Sequence, residues 1–155
     1  MLFVPFVAGF FASHYDLGFA LAASGKLDEA IAEYSEAIRQ DPGYIEALTK
    51  RGDAYQLENR LNQAIADYHE ALRIQPNFPD ALNNLGLALA TQGKYDEAVA
   101  RYNEALRARP DFPDAHNNLG SALTNQVNTA MRSQNSTKLS GFSRTINWRA
   151  RILQP

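Results

Sequence analysis

The sequence predicts an all-α fold in which antiparallel helix pairs stack into a solenoid. Three observations predict it. Pro42, Pro76 and Pro110 stand 34 residues apart, a period that belongs to stacked units rather than to one closed core. Small and aromatic residues repeat in step with these prolines. Between them, apolar residues recur at helical spacing, as in Leu82, Leu85 and Leu89.

The units run over 11–44, 45–78 and 79–112, and a partial fourth covers 113–126. Gly18, Gly52, Gly86 and Gly120 hold the eighth position. Ala30, Ala64 and Ala98 hold the twentieth, Tyr34, Tyr68 and Tyr102 the twenty-fourth, and Ala37, Ala71 and Ala105 the twenty-seventh. Each unit reads as two helices. Gly25-Lys26, Asn59-Arg60 and Gly93-Lys94 mark the break between them, because Gly and Asn tolerate the left-handed conformation that ends a helix. Asp28, Asn62 and Asp96 are placed as N-caps of the second helices. The prolines close each unit, since the residue before a proline is pushed out of helical geometry. Glycine inside a helix costs about 1 kcal/mol relative to alanine. Its recurrence therefore implies a close approach between the paired helices. The tyrosines are expected to fill space between neighbouring units.

The ends leave the period. Residues 1–10 form an apolar lead, and the uncharged stretch through Ala12 is shorter than the ~20 residues that span a bilayer. It has no basic leader of the secretory kind, and is expected to be an irregular segment over the first helix. Residues 127–155 depart from the pattern: Val127, Arg132, Ser136, Leu139 and Arg144 stand where turn, small, aromatic, small and proline positions belong. Rich in Ser, Thr, Asn and Gln between Asn125 and Ser143, this stretch is expected to be weakly structured. It could be a divergent cap, a basic interaction tail, or an interruption of the array inside its fourth unit.

Charge divides the same way. Residues 1–114 hold ten basic and seventeen acidic residues, a net of −7, and residues 115–155 hold five basic and no acidic ones. An acidic repeat body argues against a nucleic-acid partner. The chain has no cysteine, so neither a disulfide nor a thiolate metal site can form. His14, His69 and His116 fall in three different units without a second histidine at metal-ligand spacing. His14 and His116 are expected to pack at the half-buried fourth position, and His69 to face outward. No nucleophile has a base near it in the pattern. The sequence therefore predicts neither an enzyme, nor a cofactor, nor a metal. A cytoplasmic location is expected.

The linked positions resemble the tetratricopeptide repeat (TPR) family over about residues 11–126. The wording Asn83-Asn84-Leu85-Gly86, with Gly93-Lys94-Tyr95-Asp96-Glu97-Ala98 after it, is most similar to the arrays of O-linked N-acetylglucosamine transferases and their bacterial relatives. Departures are His14, Leu48, Leu82 and His116 in place of the family's Trp, and Arg51 in place of its seventh-position Leu. The resemblance implies a right-handed superhelix whose first helices line a concave groove for a protein or extended peptide. Carried over, the groove residues are Tyr15 and Phe19; Thr49, Lys50 and Asp53; Asn83, Asn84 and Leu87; and Asn117, Asn118 and Ser121. Asn84 and Asn118 hold the sixth position, where transferase-type arrays carry an asparagine ladder against a peptide backbone. Family members that clamp the acidic tails of heat-shock chaperones use Lys and Asn where Tyr15 and Phe19 stand, so no such tail is expected here. Two alternatives remain: an inactive fragment of a larger repeat-bearing glycosyltransferase, and a scaffold that self-associates through Leu119 and Leu123 of the unfinished fourth unit.

Overall fold

The helix breaks fall where the sequence places them. In the computed structural model, which describes residues 5–152 and the side chains of residues 14–134, seven helices and no strands are found among the described residues. They are α1 (Pro5–Ala23), α2 (Leu27–Gln40), α3 (Ile45–Leu57), α4 (Leu61–Ile74), α5 (Pro79–Thr91), α6 (Tyr95–Ala108) and α7 (Pro113–Ile152). Each pairs with the next, so the architecture is an all-α repeat array. None of the described helices is long and apolar enough to cross a membrane.

Three turns join the two helices within each unit, each built on one residue with positive φ: Gly25 at 80°, Asn59 at 59° and Gly93 at 78°. The following residue then donates its N–H to a carbonyl five residues back, as in Lys26 to Leu21 (3.0 Å), Arg60 to Tyr55 (2.8 Å) and Lys94 to Leu89 (3.0 Å). This bond satisfies a carbonyl that the helix end would otherwise leave open. The second helices begin one position earlier than the caps expected at Asp28, Asn62 and Asp96. Their N-caps are Lys26, Arg60 and Lys94, without a capping side chain. The tight turn leaves no room for a separate cap. Asp28 and Asp96 sit instead in the first turn, where their charge meets the positive end of the helix dipole.

The eighth-position glycines explain the tyrosines. A Cβ built on Gly18 would lie 2.8 Å from the Tyr34 ring, on Gly52 2.6 Å from Tyr68, and on Gly86 2.7 Å from Tyr102. One side of each ring, at Cδ1, Cε1 and Cζ, therefore presses on the glycine of its own unit, rather than serving only as a spacer between units. The rings are at most 1% exposed, and the alanines at positions twenty and twenty-seven are fully buried. Burying an aromatic ring is worth about 1.5–3 kcal/mol, which outweighs the ~1 kcal/mol that helical glycine costs. The core is continuous between units, since Tyr68, Leu85, Leu89, Tyr102 and Ala122 belong to one cluster.

Arg51, at a position the family gives to leucine, makes two bonds to Asp67 (2.7 and 2.8 Å) and a third to Ser35 (2.9 Å). Asp67 is only 7% exposed. A polar arm thus replaces an apolar contact and ties α2, α3 and α4 together.

Both chain ends differ from expectation. The backbone from Pro5 is already helical and continuous with α1, so the lead is regular from that point; the contacts expected of residues 1–10 with the first helix lie outside the described side chains. The stretch expected to be weakly structured, from Asn125 to Ser143, is helical throughout as part of the 40-residue α7. The reason lies at Val127, which holds the place of Gly25, Asn59 and Gly93. A β-branched residue strongly resists positive φ, so the turn cannot form and the helix runs on.

Candidate groove on the first helices

The order of helix contacts sets the curvature. α1 touches α3, α3 touches α5 and α5 touches α7, whereas α2, α4 and α6 do not touch one another. The first helices therefore lie on the inside of the curve, and their free faces line its concave side.

Along this face runs a polar chain centred on Asp53. One of its oxygens accepts from Lys50 Nζ at 3.0 Å; the other accepts from the Tyr68 hydroxyl at 2.9 Å and from Asn84 Nδ2 at 2.7 Å. Asn84 Oδ1 accepts from Asn83 Nδ2 (3.0 Å), and Asn83 Oδ1 accepts from Asn118 Nδ2 (3.0 Å). Five polar side chains from three units thus form one connected line. Burial first, and then the Asp53 charge and hydrogen bond, push the Tyr68 hydroxyl well above the usual phenol range. For Lys50, burial pulls the pKa down, but the Asp53 charge and hydrogen bond outweigh it, and the ammonium titrates above its ordinary value.

An amide offers two donor hydrogens and two acceptor lone pairs. Asn84 has spent one of each, and Asn118 has spent one hydrogen. Both are half-buried, and Asn117 and Ser121 beside them are exposed. Two expected groove residues are not available. Thr49 is 3% exposed and donates to the Ile45 carbonyl (2.8 Å), and Asn83 is 5% exposed. The fifth position is covered by neighbouring helices in units two and three, so Asn83 acts as a link within the line. Asn117, at the same position in unit four, has nothing over it and stays open.

The other end of the face is aromatic. Tyr15 lies 5.1 Å from Tyr44 and 5.8 Å from Tyr34, centroid to centroid. Burial first raises the Tyr15 pKa. Phe19 is 55% exposed and Leu87 38%. Between these ends, Asp53, Gln56, Leu57, Asn84 and Leu87 line a shallow hollow. Sequence reasoning missed the hydroxyl of Tyr68, which reaches this face from α4 and was assigned to packing alone. The signal was Asp53 itself, an acid on the inner face of the unit whose twenty-fourth residue is that tyrosine.

The histidines divide. His14 is part-buried, with Nδ1 2.6 Å from Glu33, as a packed fourth position requires. His116 is exposed, contrary to expectation, with Nε2 3.0 Å from the Pro110 carbonyl oxygen, and His69 is exposed as expected. No group of three or more His, Asp or Glu residues that could hold a metal occurs among the described residues.

The model of the TPR repeat matches residues 18–58, 52–93 and 88–127. No curated protein matches the chain. Among solved structures, the first TPR domain of human RPAP3 is similar at 24% identity and a TM-score of 0.75, over 77% of this chain and 94% of that one. A structure of the first TPR of Spaghetti (RPAP3), bound to the HSP90 peptide SRMEEVD, gives 24% and 0.74, over 77% and 94%. The Sgt2 TPR domain from Aspergillus fumigatus gives 22% and 0.74, over 79% and 82%. At these identities the likeness speaks for the fold. The similarity of wording to transferase arrays has no counterpart among these three.

Proposed function

The chain belongs to the TPR repeat family, and from that premise we propose that it is a non-catalytic module holding an extended peptide segment of a protein partner on the concave face of α1, α3, α5 and α7. The observation that carries this reading is the line from Lys50 to Asn118. It holds five polar side chains in fixed orientation while leaving amide donors and acceptors unspent. Preorganised amides suit a peptide backbone, because they offer both halves of the hydrogen bond and select no particular side chain. The exposed Phe19 and the Tyr15–Tyr44 pair supply an apolar seat at one end, where side-chain preference is set.

The ladder reading shifts its weight towards Asn118. Asn84 is tied to Asp53 and Asn83, whereas Asn118 keeps its whole carbonyl. The ligand we favour is not an acidic chaperone tail. Solved relatives do hold such tails: the RPAP3 structure contains SRMEEVD. In this chain Tyr15 and Phe19 replace the clamp's Lys and Asn, and the one lysine on the polar line is neutralised by Asp53. Nor does any pair of residues on the face make a nucleophile with its base, which supports binding without catalysis.

Calorimetric titration of extended peptides selected from an array tests this. Asn118→Ala is expected to weaken binding about tenfold, the effect of one hydrogen bond worth roughly 1.4 kcal/mol, and to lower the melting temperature modestly, because Asn83 loses its donor. Unaltered affinity in the Asn84→Ala, Asn118→Ala double variant would remove the ladder. Tighter binding of SRMEEVD than of its amidated neutral analogue would replace the proposed ligand with an acidic tail.

A further inference from the structure

The face of α7 that a second helix would cover in a finished unit is open. Gly120 is the one eighth-position glycine with no atom within 4 Å of its Cβ direction, while Gly18, Gly52 and Gly86 each hold a tyrosine ring. Leu123 is 43% exposed, Val127 54% and Met131 51%. At 3.6 residues per turn, Gly120, Leu123, Val127, Met131 and Gln134 fall on one narrow stripe. That stripe lies about a third of a turn from the face that buries Ala115, Leu119 and Ala122 against α5 and α6. Leu119 is thus already used inside the array, and the free surface lies further along the helix.

We infer that this stripe pairs with the same stripe of a second copy, with the two α7 helices antiparallel and a two-fold axis at Val127. Three observations single out this occupant. The exposed stretch is long: every side chain from Val127 to Gln134 is exposed, and the helix continues to Ile152. A second helix of the repeat kind spans only 14 residues, whereas another α7 paired about Val127 covers residues 113–141 of this one and so the whole exposed stripe. A lone helix rich in Ser, Thr and Asn is poorly stable in water and gains most from a packed partner. The stripe is also self-complementary about Val127, as an isologous contact requires. Val127 meets Val127, Leu123 meets Met131, and Gly120 leaves room for Gln134. Charge then fixes the direction. Residues 115–155 carry five basic and no acidic residues, against −7 for residues 1–114. Parallel pairing would set the two basic halves side by side. Antiparallel pairing about Val127 keeps them apart and turns each towards the end of the helix that joins the partner's acidic body.

The absence of native cysteine gives a direct test on the full chain. Val127→Cys is expected to form a disulfide-linked dimer under mild oxidation at least tenfold faster than His69→Cys, an exposed control on α4. Light scattering across a concentration series is expected to show a dimer for the native chain and a monomer for Val127→Asp. The variant should keep its helical circular dichroism, because the position is exposed, and its peptide affinity, because the groove lies on another face. A native chain that stays monomeric, a Val127→Asp chain that stays dimeric, or equal rates for the two cysteine variants would each overturn the inference.

Discussion

Unit three and the start of unit four carry nearly the same first helix through the eighth position, with His116 in place of Leu82 the one difference, and they end differently. Leu89 is 5% exposed, and its counterpart Leu123 is 43% exposed. Gly86 is pressed by Tyr102, and its counterpart Gly120 meets nothing. Two sites account for the contrast: Gly93 allows the reversal that Val127 refuses, and Ser136 stands where Tyr102 would recur. The repeat is therefore not stored in its first helix. It depends on one conformationally permissive residue and one ring, 9 residues apart in unit three.

The largest expected effect comes from attacking the rings. Burial, with Tyr15 and Asp53 adding to it, pushes the Tyr34 pKa from 10.0 to about 12, and burial alone does the same for Tyr102. A phenol whose folded pKa exceeds its unfolded one stabilises the fold fully below pH 10 and loses that contribution as pH rises towards 12. Circular dichroism followed from pH 8 upward should show the closed units melting cooperatively across about pH 10–12. A helical signal unchanged through pH 12 would mean that the rings ionise without disturbing the array. Next comes the glycine pair. Gly86→Ala forces a Cβ to 2.7 Å from the Tyr102 ring and should cost about 1–3 kcal/mol, whereas Gly120→Ala should stabilise by up to about 1 kcal/mol. Urea unfolding of both variants measures the difference, and equal shifts would erase the distinction between the two units. The smallest effect is an exchange of turn residues. Gly93→Val should cost roughly 1–3 kcal/mol in strain, and Val127→Gly about 1 kcal/mol in helix propensity. Thermal melts that rank the two the other way would show that the turn is not what separates them.

The fold was legible because its determinants are single residues at a fixed period. The turn glycines, the small alanines and the prolines declared themselves. What escaped was what depends on neighbours. Asp28 and Asp96 look like caps, but a tight turn moved the helix start to the residue before each of them. Thr49 and Asn83 look like groove residues, and adjacent helices cover them. His116 looked half-buried by analogy with His14, yet α7 runs straight on, so no second helix of its own unit folds back over it as α2 does over His14. The Ser, Thr and Asn content beyond Asn125 suggested loose chain, although Val127 already carried the opposite message. Of the candidate site, the positions were readable and the hydrogen-bond line was not, because the tyrosine that joins Asp53 comes from the unit's other helix.

Arg51 and Asp67 have a consequence for how the chain finds its order. Near-identical units invite mispairing, in which a helix docks one repeat out of step, a characteristic failure of repeat proteins. Arg101 holds the place of Asp67 one unit along, so α3 docked there would set arginine against arginine. If α5 took the place of α3, Leu85 would face Asp67 and leave a carboxylate buried without its cation, which costs about 3–5 kcal/mol. A polar pair that adds little to the stability of the finished array thus works as an address label, making unit two a poor fit anywhere but second.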